Sequence, residues 1–171
     1  MVIEDSTDVD FTTFVDVHGQ QLLRTAFLLV GDAHRAEDML QTALVKAYEH
    51  WGRIREPTAA YAYVRKCLAN TVVSWRRLRM THERPTEILP DTSTPDVSHS
   101  HAESMAMGHY LRLLPRRQRA VLVLRFYEDL SEAEVARTLG VSTGTVKSTT
   151  SRGLARLRDL MGESQTIEVN R

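Results

Sequence analysis

The sequence predicts an all-α protein made of two small helical domains joined by a flexible linker. Its 171 residues contain only 8 Gly and 5 Pro, and aromatic residues make up 6%, a composition that favours helices over strands. Apolar residues recur at helical spacing in residues 11–80 and again in residues 102–161. Residues 81–101 hold three prolines and seven Ser or Thr without a helical period, which predicts a linker. Residues 162–171 show no pattern and are predicted to form a disordered tail.

The first domain, residues 11–80, is predicted to contain three or four helices. The first ends at Gly31, and Asp32 is the expected N-cap of the second. Gly52 ends the second helix, and Pro57 opens the third. The apolar positions that define the first two helices are Phe14, Val17, Leu22, Leu23, Ala26, Leu29, Ala36, Leu40, Leu44, Ala47 and Tyr48.

The second domain, residues 102–161, is predicted to begin with helices over 105–114 and 115–127. A helix-turn-helix pattern follows in residues 131–160. Ser131 and Glu134 have the spacing of a capping box, which predicts a helix starting at Glu132. Gly140 stands where the chain needs a positive φ, and Ser142 is the expected cap of the next helix.

The second helix of this motif has a small polar outer face. At 100° per residue, Val146 shares the inner side with Thr150, Gly153, Leu154 and Leu157. The outer side carries Ser148, Ser151, Arg152 and Ala155, with Lys147 on the flank. Small outer residues let a helix enter the major groove, where an arginine can reach base edges or phosphates. Lys147 is expected to reach a phosphate, and Thr145 lies in a first turn whose free amides can hold another. The alternative is an ordinary helical hairpin with a basic rim.

The charges are unevenly distributed although the net charge is zero. Residues 1–50 carry a net −6, residues 61–84 a net +5 and residues 111–158 a net +6. Two basic blocks after an acidic segment predict two nucleic-acid surfaces and a separate surface for another partner. The alternative is that these charged residues only form solvent-exposed helix faces. A single cysteine, Cys67, excludes an internal disulfide and a Cys-rich metal site.

The chain shows no signal for a membrane or for nucleotide binding. Its N-terminus is acidic and lacks the apolar core of a signal peptide, and no apolar run approaches the length of a membrane span. We therefore expect a cytoplasmic protein. The segment GVSTGTVKS lacks the spacing of a P-loop, because its lysine does not directly follow the second glycine.

Both halves of the chain resemble one known family. Residues 114–160, from LPRRQRAVLVLRFYEDL to RGLARLRDL, resemble the promoter −35-binding domain of sigma-70-type sigma factors, in their extracytoplasmic-function (ECF) subgroup. Residues 34–51 (HRAEDMLQTALVKAYEHW) and 62–80 (AYVRKCLANTVVSWRRLRM) resemble the other conserved domain of that subgroup. These motifs are especially similar in sequence to those of the SigE-like factors of actinomycetes. The resemblance implies sigma domain 2 over residues 11–80 and sigma domain 4 over residues 102–161.

The resemblance also implies roles for individual residues. The β′ clamp of RNA polymerase would be bound by Asp38, Leu40, Gln41 and Leu44, although core packing is an alternative role for the two leucines. The −10 element would be recognised and melted by Asn70, Trp75, Arg76, Arg77 and Arg79, with core packing as the alternative for Trp75. The −35 element would be bound by Arg119, Thr145, Lys147, Ser148, Ser151, Arg152 and Arg156.

The implied function is that of a promoter-specificity subunit without catalytic activity of its own. Its partners would be the RNA polymerase core, through the β′ clamp and β subunits, and promoter DNA. An anti-sigma factor is a frequent further partner in the family, and the sequence leaves open whether this chain has one. We expect no cofactor, no metal site, no membrane association and no small-molecule substrate.

Two other functions compete with this interpretation. A stand-alone helix-turn-helix repressor or activator would bind a palindrome as a dimer, but the sequence offers no dimerisation helix. A helical hydrolase or nucleic-acid-processing enzyme would need clustered carboxylates, a His/Cys site or a phosphate loop. Glu37 and Asp38 are adjacent and therefore point to different sides of a helix, and the sequence presents no other candidate site.

Overall fold

The computed structural model describes residues 10–54, 56–78 and 107–169, with side chains except at 74–78 and 163–169. All regular structure in these ranges is helical, which confirms the predicted all-α class. The predicted linker, residues 81–101, lies outside the described residues.

Three helices form the N-terminal half. The boundaries at Gly31, Asp32 and Pro57 are as predicted, but the second helix ends at Glu49 rather than at Gly52. Helix α1 is Phe11–Val30, α2 is Ala33–Glu49 and α3 is Pro57–Leu78, with a 3₁₀ turn at Trp51–Arg53. Gly31 ends α1 with φ +76°, and the Asp32 carboxylate accepts a hydrogen bond from the Arg35 N–H at 2.8 Å. Their packed core includes Phe14, Leu22, Leu29, Val64 and Leu68, each at most 1% exposed.

Four helices form the C-terminal half. Helix α4 is described over residues 107–113, α5 is Arg116–Leu122, α6 is Glu132–Leu139 and α7 is Thr143–Val169. The sequence predicted one helix over 115–127, but the segment Val123–Tyr127 is a wider π-helical turn, in which the Glu128 N–H donates to the Val123 carbonyl at 3.0 Å. Helix α7 continues to Val169, so residues 162–169, expected to be a disordered tail, are helical.

The two halves pack against each other. The apolar core of the N-terminal half continues into Leu111 of α4, Leu114 just after it, Ala120 and Leu122 of α5, and Val123 of the π turn. A second cluster joins Ala69 of α3 to residues of α5, α6 and α7. The sequence predicted two separate domains and gave no indication of this interface.

Neither a membrane span nor a metal cluster is found where the structure is described. No helix in the described ranges is long and apolar enough to cross a membrane. The same residues contain no group of three or more His, Cys, Asp or Glu side chains placed to hold a metal ion.

Candidate nucleic-acid interface

The predicted helix-turn-helix is formed by α6 and α7. Ser131 and Glu134 make both bonds of the capping box: the Glu134 N–H donates to Ser131 Oγ at 3.3 Å, and the Ser131 N–H donates to Glu134 Oε2 at 2.8 Å. Gly140 ends α6 with φ +65°. The Ser142 hydroxyl then accepts from the Thr145 N–H at 3.1 Å and caps α7. Each of these turns matches the sequence prediction, because each is set by residues within one helical turn.

The inner face of α7 is packed as the periodicity predicts. Val146 is fully buried, and Leu154 and Leu157 pack partly buried against the core. Gly153 lies directly against α5, where an added Cβ would stand 3.2 Å from Leu122 Cδ1. Thr149 is also buried, at 4% exposed. The glycine therefore lets α7 approach α5 closely and fixes which face of α7 points outward.

The outer face of α7 is exposed and polar. Its exposed side chains are those of Lys147, Ser148, Ser151, Arg152 and Arg156. Arg152 Nε donates to the Ser148 carbonyl at 3.2 Å, and the Ser148 hydroxyl donates to the Thr145 carbonyl at 3.2 Å. Thr145 itself is half-buried beside the Ser142 hydroxyl, at 2.9 Å between the two oxygens. Six of the seven residues predicted for the −35 element thus share one helix.

Arg119, the seventh residue, lies elsewhere. It is 7% exposed, and its guanidinium donates to the carbonyls of Leu29 at 3.1 Å, Arg112 at 3.2 Å and Leu114 at 3.3 Å. Burial, together with the charges of Arg116 and Arg112, lowers the pKa of Arg119 to about 10, so the side chain stays protonated at neutral pH. In this arrangement Arg119 bridges α5 to the end of α1 and is turned away from solvent.

The residues predicted for the −10 element lie along the C-terminal part of α3. Asn70 is half-buried, and its neighbour Ala69 is fully buried against the C-terminal half. Trp75, Arg76 and Arg77 belong to the helical backbone of α3, but their side chains lie outside the described set. Arg79 lies outside the described residues altogether.

The predicted polymerase-binding residues of α2 divide between its two faces. Asp38 and Gln41 are exposed, whereas Leu40 is 8% exposed and Leu44 is partly buried, both in the core. Two apolar side chains on the Asp38 face are exposed as well: Val45 at 58%, which sequence analysis did not single out, and Tyr48 at 64%, which it had counted with the apolar face of the helix. The helical period could have placed both on this face, since Val45 lies seven residues after Asp38 and Tyr48 seven after Gln41.

Glu128 is a further residue that the sequence did not single out. It follows the π turn, and its side chain is only 2% exposed. Its carboxylate accepts hydrogen bonds from Tyr61 Oη at 3.1 Å, from Arg65 Nη1 at 3.3 Å and from Thr25 Oγ1. Burial, and then the nearby Glu128 charge, raise the pKa of Tyr61, so its hydroxyl remains a donor. No local pattern signals this site, because Glu128 lies 63 or more positions after each of its three partners in the sequence.

Comparison with known proteins identifies the family of both halves. The family model of sigma-70 region 2 matches residues 14–80, and that of sigma-70 region 4 matches residues 104–157. The chain is 44% identical over 160 residues to the RNA polymerase sigma-E factor of Streptomyces avermitilis, which covers 94% of this chain and 89% of the relative. The chain belongs to the sigma-70 family. Within it, the sigma factor falls in the ECF subgroup, as the sequence predicted.

A further relative supports the assignment, and a solved structure shares the fold. The ECF sigma factor SigM of Mycobacterium tuberculosis is 34% identical, over 87% of this chain and 76% of its own. The solved structure of the Bartonella quintana sigma factor RpoE, in complex with the anti-sigma factor NepR, superposes with a TM-score of 0.66. It covers 90% of this chain and 97% of its own at 23% identity, and thus shows a shared fold. The sigma factor is a promoter-specificity subunit in transcription initiation, and members of its family are regulatory subunits rather than catalysts.

Proposed function

We propose that this sigma factor binds core RNA polymerase through residues 11–80 and directs it to promoters by two separate DNA contacts. Domain 4, residues 102–161, recognises the −35 element through residues 142–156. Domain 2 recognises the −10 element and promotes melting through residues 61–80. Residues 81–101 connect the two contacts.

The observation that carries the proposal is the outer face of α7. Its inner face is fixed by Val146, Thr149 and Gly153, so the exposed serines and arginines point away from the core. Ser148 and Ser151 are short enough to let the helix approach base edges, and Arg152 is long enough to hydrogen-bond a guanine or a phosphate. Lys147 on the flank suits a phosphate contact, which positions the helix without selecting a sequence.

The −10 contact is proposed from the chemistry of α3. Asn70 offers both a donor and an acceptor for the edge of an unstacked base. Trp75 can stack on a base, and Arg76, Arg77 and Arg79 supply positive charge for the freed strand. Melting by these residues would capture a single strand and would need no catalytic group.

The contact with the polymerase is proposed on the exposed face of α2. Asp38 and Gln41 present oxygen and amide groups that suit a basic coiled coil such as the β′ clamp. Val45 and Tyr48 add apolar area to the same face. Leu40 and Leu44 support this face from inside, since Leu40 belongs to the hydrophobic core and Leu44 packs against it. The β subunit, promoter DNA and an anti-sigma factor are the other proposed partners, and cytoplasmic transcription is the proposed setting.

An electrophoretic mobility assay with purified core polymerase tests the proposal. The labelled probes are promoter-sized genomic fragments, and each is incubated with the chain, with core enzyme or with both. We expect a competitor-resistant complex only when both proteins are present. Tight promoter binding by the chain alone, unchanged by core enzyme, would instead indicate an independent repressor or activator.

A further inference from the structure

We propose that His50, once protonated, contacts the freed −10 strand beside Asn70, so that strand capture by this sigma factor becomes stronger as the pH falls. The inference rests on the proposed function, because it takes α3 as the −10 contact. It goes beyond that function by adding a contact from the end of α2 and by making strand capture depend on pH.

One face of α3 leads from Asn70 back toward the end of α2. Tyr63, Lys66 and Cys67 share this face with Asn70, because positions three, four and seven apart in a helix lie on one side. Tyr63 precedes Asn70 by two turns, which separates them by about 10 Å along the helix axis. Lys66 is exposed, and the other three side chains are half-buried. The face therefore offers an aromatic ring and a cation within reach of a strand held at Asn70.

The end of α2 packs beside this face and adds two further side chains. His50 is exposed, and the centroid of its ring lies 5.9 Å from that of Tyr63. Burial raises the pKa of the Cys67 thiol, whereas the charges of Lys46 and Lys66 act to lower it, so both ammonium groups lie near Cys67. Two lysines from different helices and one imidazole thus lie together where α2 meets α3.

The charge around His50 is mostly positive. Among the described residues, the ionisable side chains around it come from α2, from the 3₁₀ turn and from α3: Lys46, Glu49, Arg53, Tyr63, Lys66 and Cys67. Three of these are cations and one is an anion, whereas the raised pKa values of the Tyr63 hydroxyl and the Cys67 thiol keep both groups neutral. Excess positive charge beside an aromatic ring suits the phosphates and bases of a single strand.

The His50 ring is held through its Nδ1 atom. Nδ1 lies 2.9 Å from the Lys46 carbonyl oxygen, and a carbonyl only accepts, so Nδ1 carries a proton and Nε2 is the nitrogen left to gain one. His50 also caps the C-terminus of α2, where the helix dipole favours a cation. Histidine side chains change charge between about pH 5 and pH 8. Protonation therefore adds an N–H donor and a positive charge at Nε2, and a phosphate oxygen of the freed strand can accept that bond.

The test uses the holoenzyme and a forked DNA. Run-off transcription first selects a genomic fragment on which the holoenzyme initiates, and the non-template strand of its −10 element is left unpaired in a rhodamine-labelled fork. Fluorescence anisotropy measures the dissociation constant at about pH 8 and about pH 6 for the wild type, His50→Gln and His50→Arg. His34→Gln is the matched control, because His34 is an exposed histidine at the opposite end of α2.

Between the two pH values, we expect the wild-type affinity to rise at least about fivefold more than that of His50→Gln, because only the wild type gains a charge-assisted phosphate contact. His50→Arg should bind tightly at both pH values, and His34→Gln should follow the wild type. At the lower pH, His50→Gln should also reduce the slope of log affinity against log salt by about 0.7, since one phosphate contact to a single strand is lost.

Three results would overturn the inference. The first is an equal pH dependence of the wild type and His50→Gln, and the second is an equal loss of pH dependence in His34→Gln. The third is a His50→Gln holoenzyme that loses the pH dependence but keeps the wild-type salt slope, because the imidazole would then act through the fold and not on the strand.

The run-off step separates this proposal from the proposed function. Failure of the holoenzyme to initiate on every genomic fragment would reject the proposed function itself. Initiation, followed by fork binding that is the same with and without the His50 imidazole at both pH values, would reject only the pH-dependent contact.

Discussion

Arg152 and Arg119 were predicted for the same DNA contact, but the structure places them in different surroundings. Arg152 is exposed on the outer face of α7, whereas Arg119 is buried against the end of α1. The orientation of Arg152 follows from the helical period of α7 and could be predicted from the sequence. The burial of Arg119 could not, because it depends on the Leu29 carbonyl 90 positions earlier in the chain.

Replacement of Arg152 should reduce sequence selectivity. We expect Arg152→Ala to weaken binding of the holoenzyme to a matched −35 element by about 1–3 kcal/mol if the guanidinium contacts a base. Lys147→Ala should weaken binding to matched and scrambled elements equally, because a phosphate contact carries no sequence information. Competition binding with matched and scrambled −35 duplexes measures both. If Arg152→Ala lowers the affinity for both duplexes equally, Arg152 contacts a phosphate rather than a base.

Replacement of Arg119 should reduce stability. We expect Arg119→Ala to lower the free energy of unfolding by about 2 kcal/mol, since three carbonyl groups lose their donor. Arg117→Ala, an exposed neighbour on α5, should change it by less than about 0.5 kcal/mol. Urea denaturation followed by circular dichroism measures the difference. Equal stability of the two variants would show that the hydrogen bonds of the buried Arg119 guanidinium do not stabilise the fold.

At the scale of elements, the helix boundaries were largely predictable. Asp32, Ser131, Gly140 and Ser142 act through neighbours within one turn, so their spacing alone sets where helices begin and end. The π turn at Val123–Tyr127 was not predictable, because its sequence has an ordinary apolar pattern. Its wider spacing accompanies the placement of Glu128 against α1 and α3, which only the folded chain brings close.

The capping box of α6 should make stability depend on acid pH. The hydrogen bonds from the Ser131 side chain and backbone hold the pKa of Glu134 below its ordinary value of 4.5. The stabilisation is therefore present above that ordinary value and is lost as the pH falls through the lowered pKa of the folded state. Glu134→Gln keeps a neutral capping group, so we expect a smaller fall in Tm between about pH 5 and pH 3.

Glu132→Gln is the matched control, because it removes the same charge from the same turn without breaking the box. Thermal denaturation at stepped pH values measures both variants. If Glu134→Gln retained the full acid dependence of the wild type, the box would not be its source.

At the scale of the whole molecule, the sequence predicted two helical units and their family but no contact between them. Local periodicity assigns residues to helices, and both units could be recognised separately. The interface through Ala69, Glu128 and Arg119 joins residues that are far apart in sequence, so no local pattern could predict it.

The central claim is that this chain confers promoter specificity on RNA polymerase, and run-off transcription tests it most directly. Purified core enzyme is incubated with genomic fragments, with and without the chain, and transcript ends are mapped. We expect transcripts of defined start sites only when the chain is present, and fewer of them with Arg152→Ala. Transcripts whose amounts and start sites are the same with and without the chain would contradict the claim.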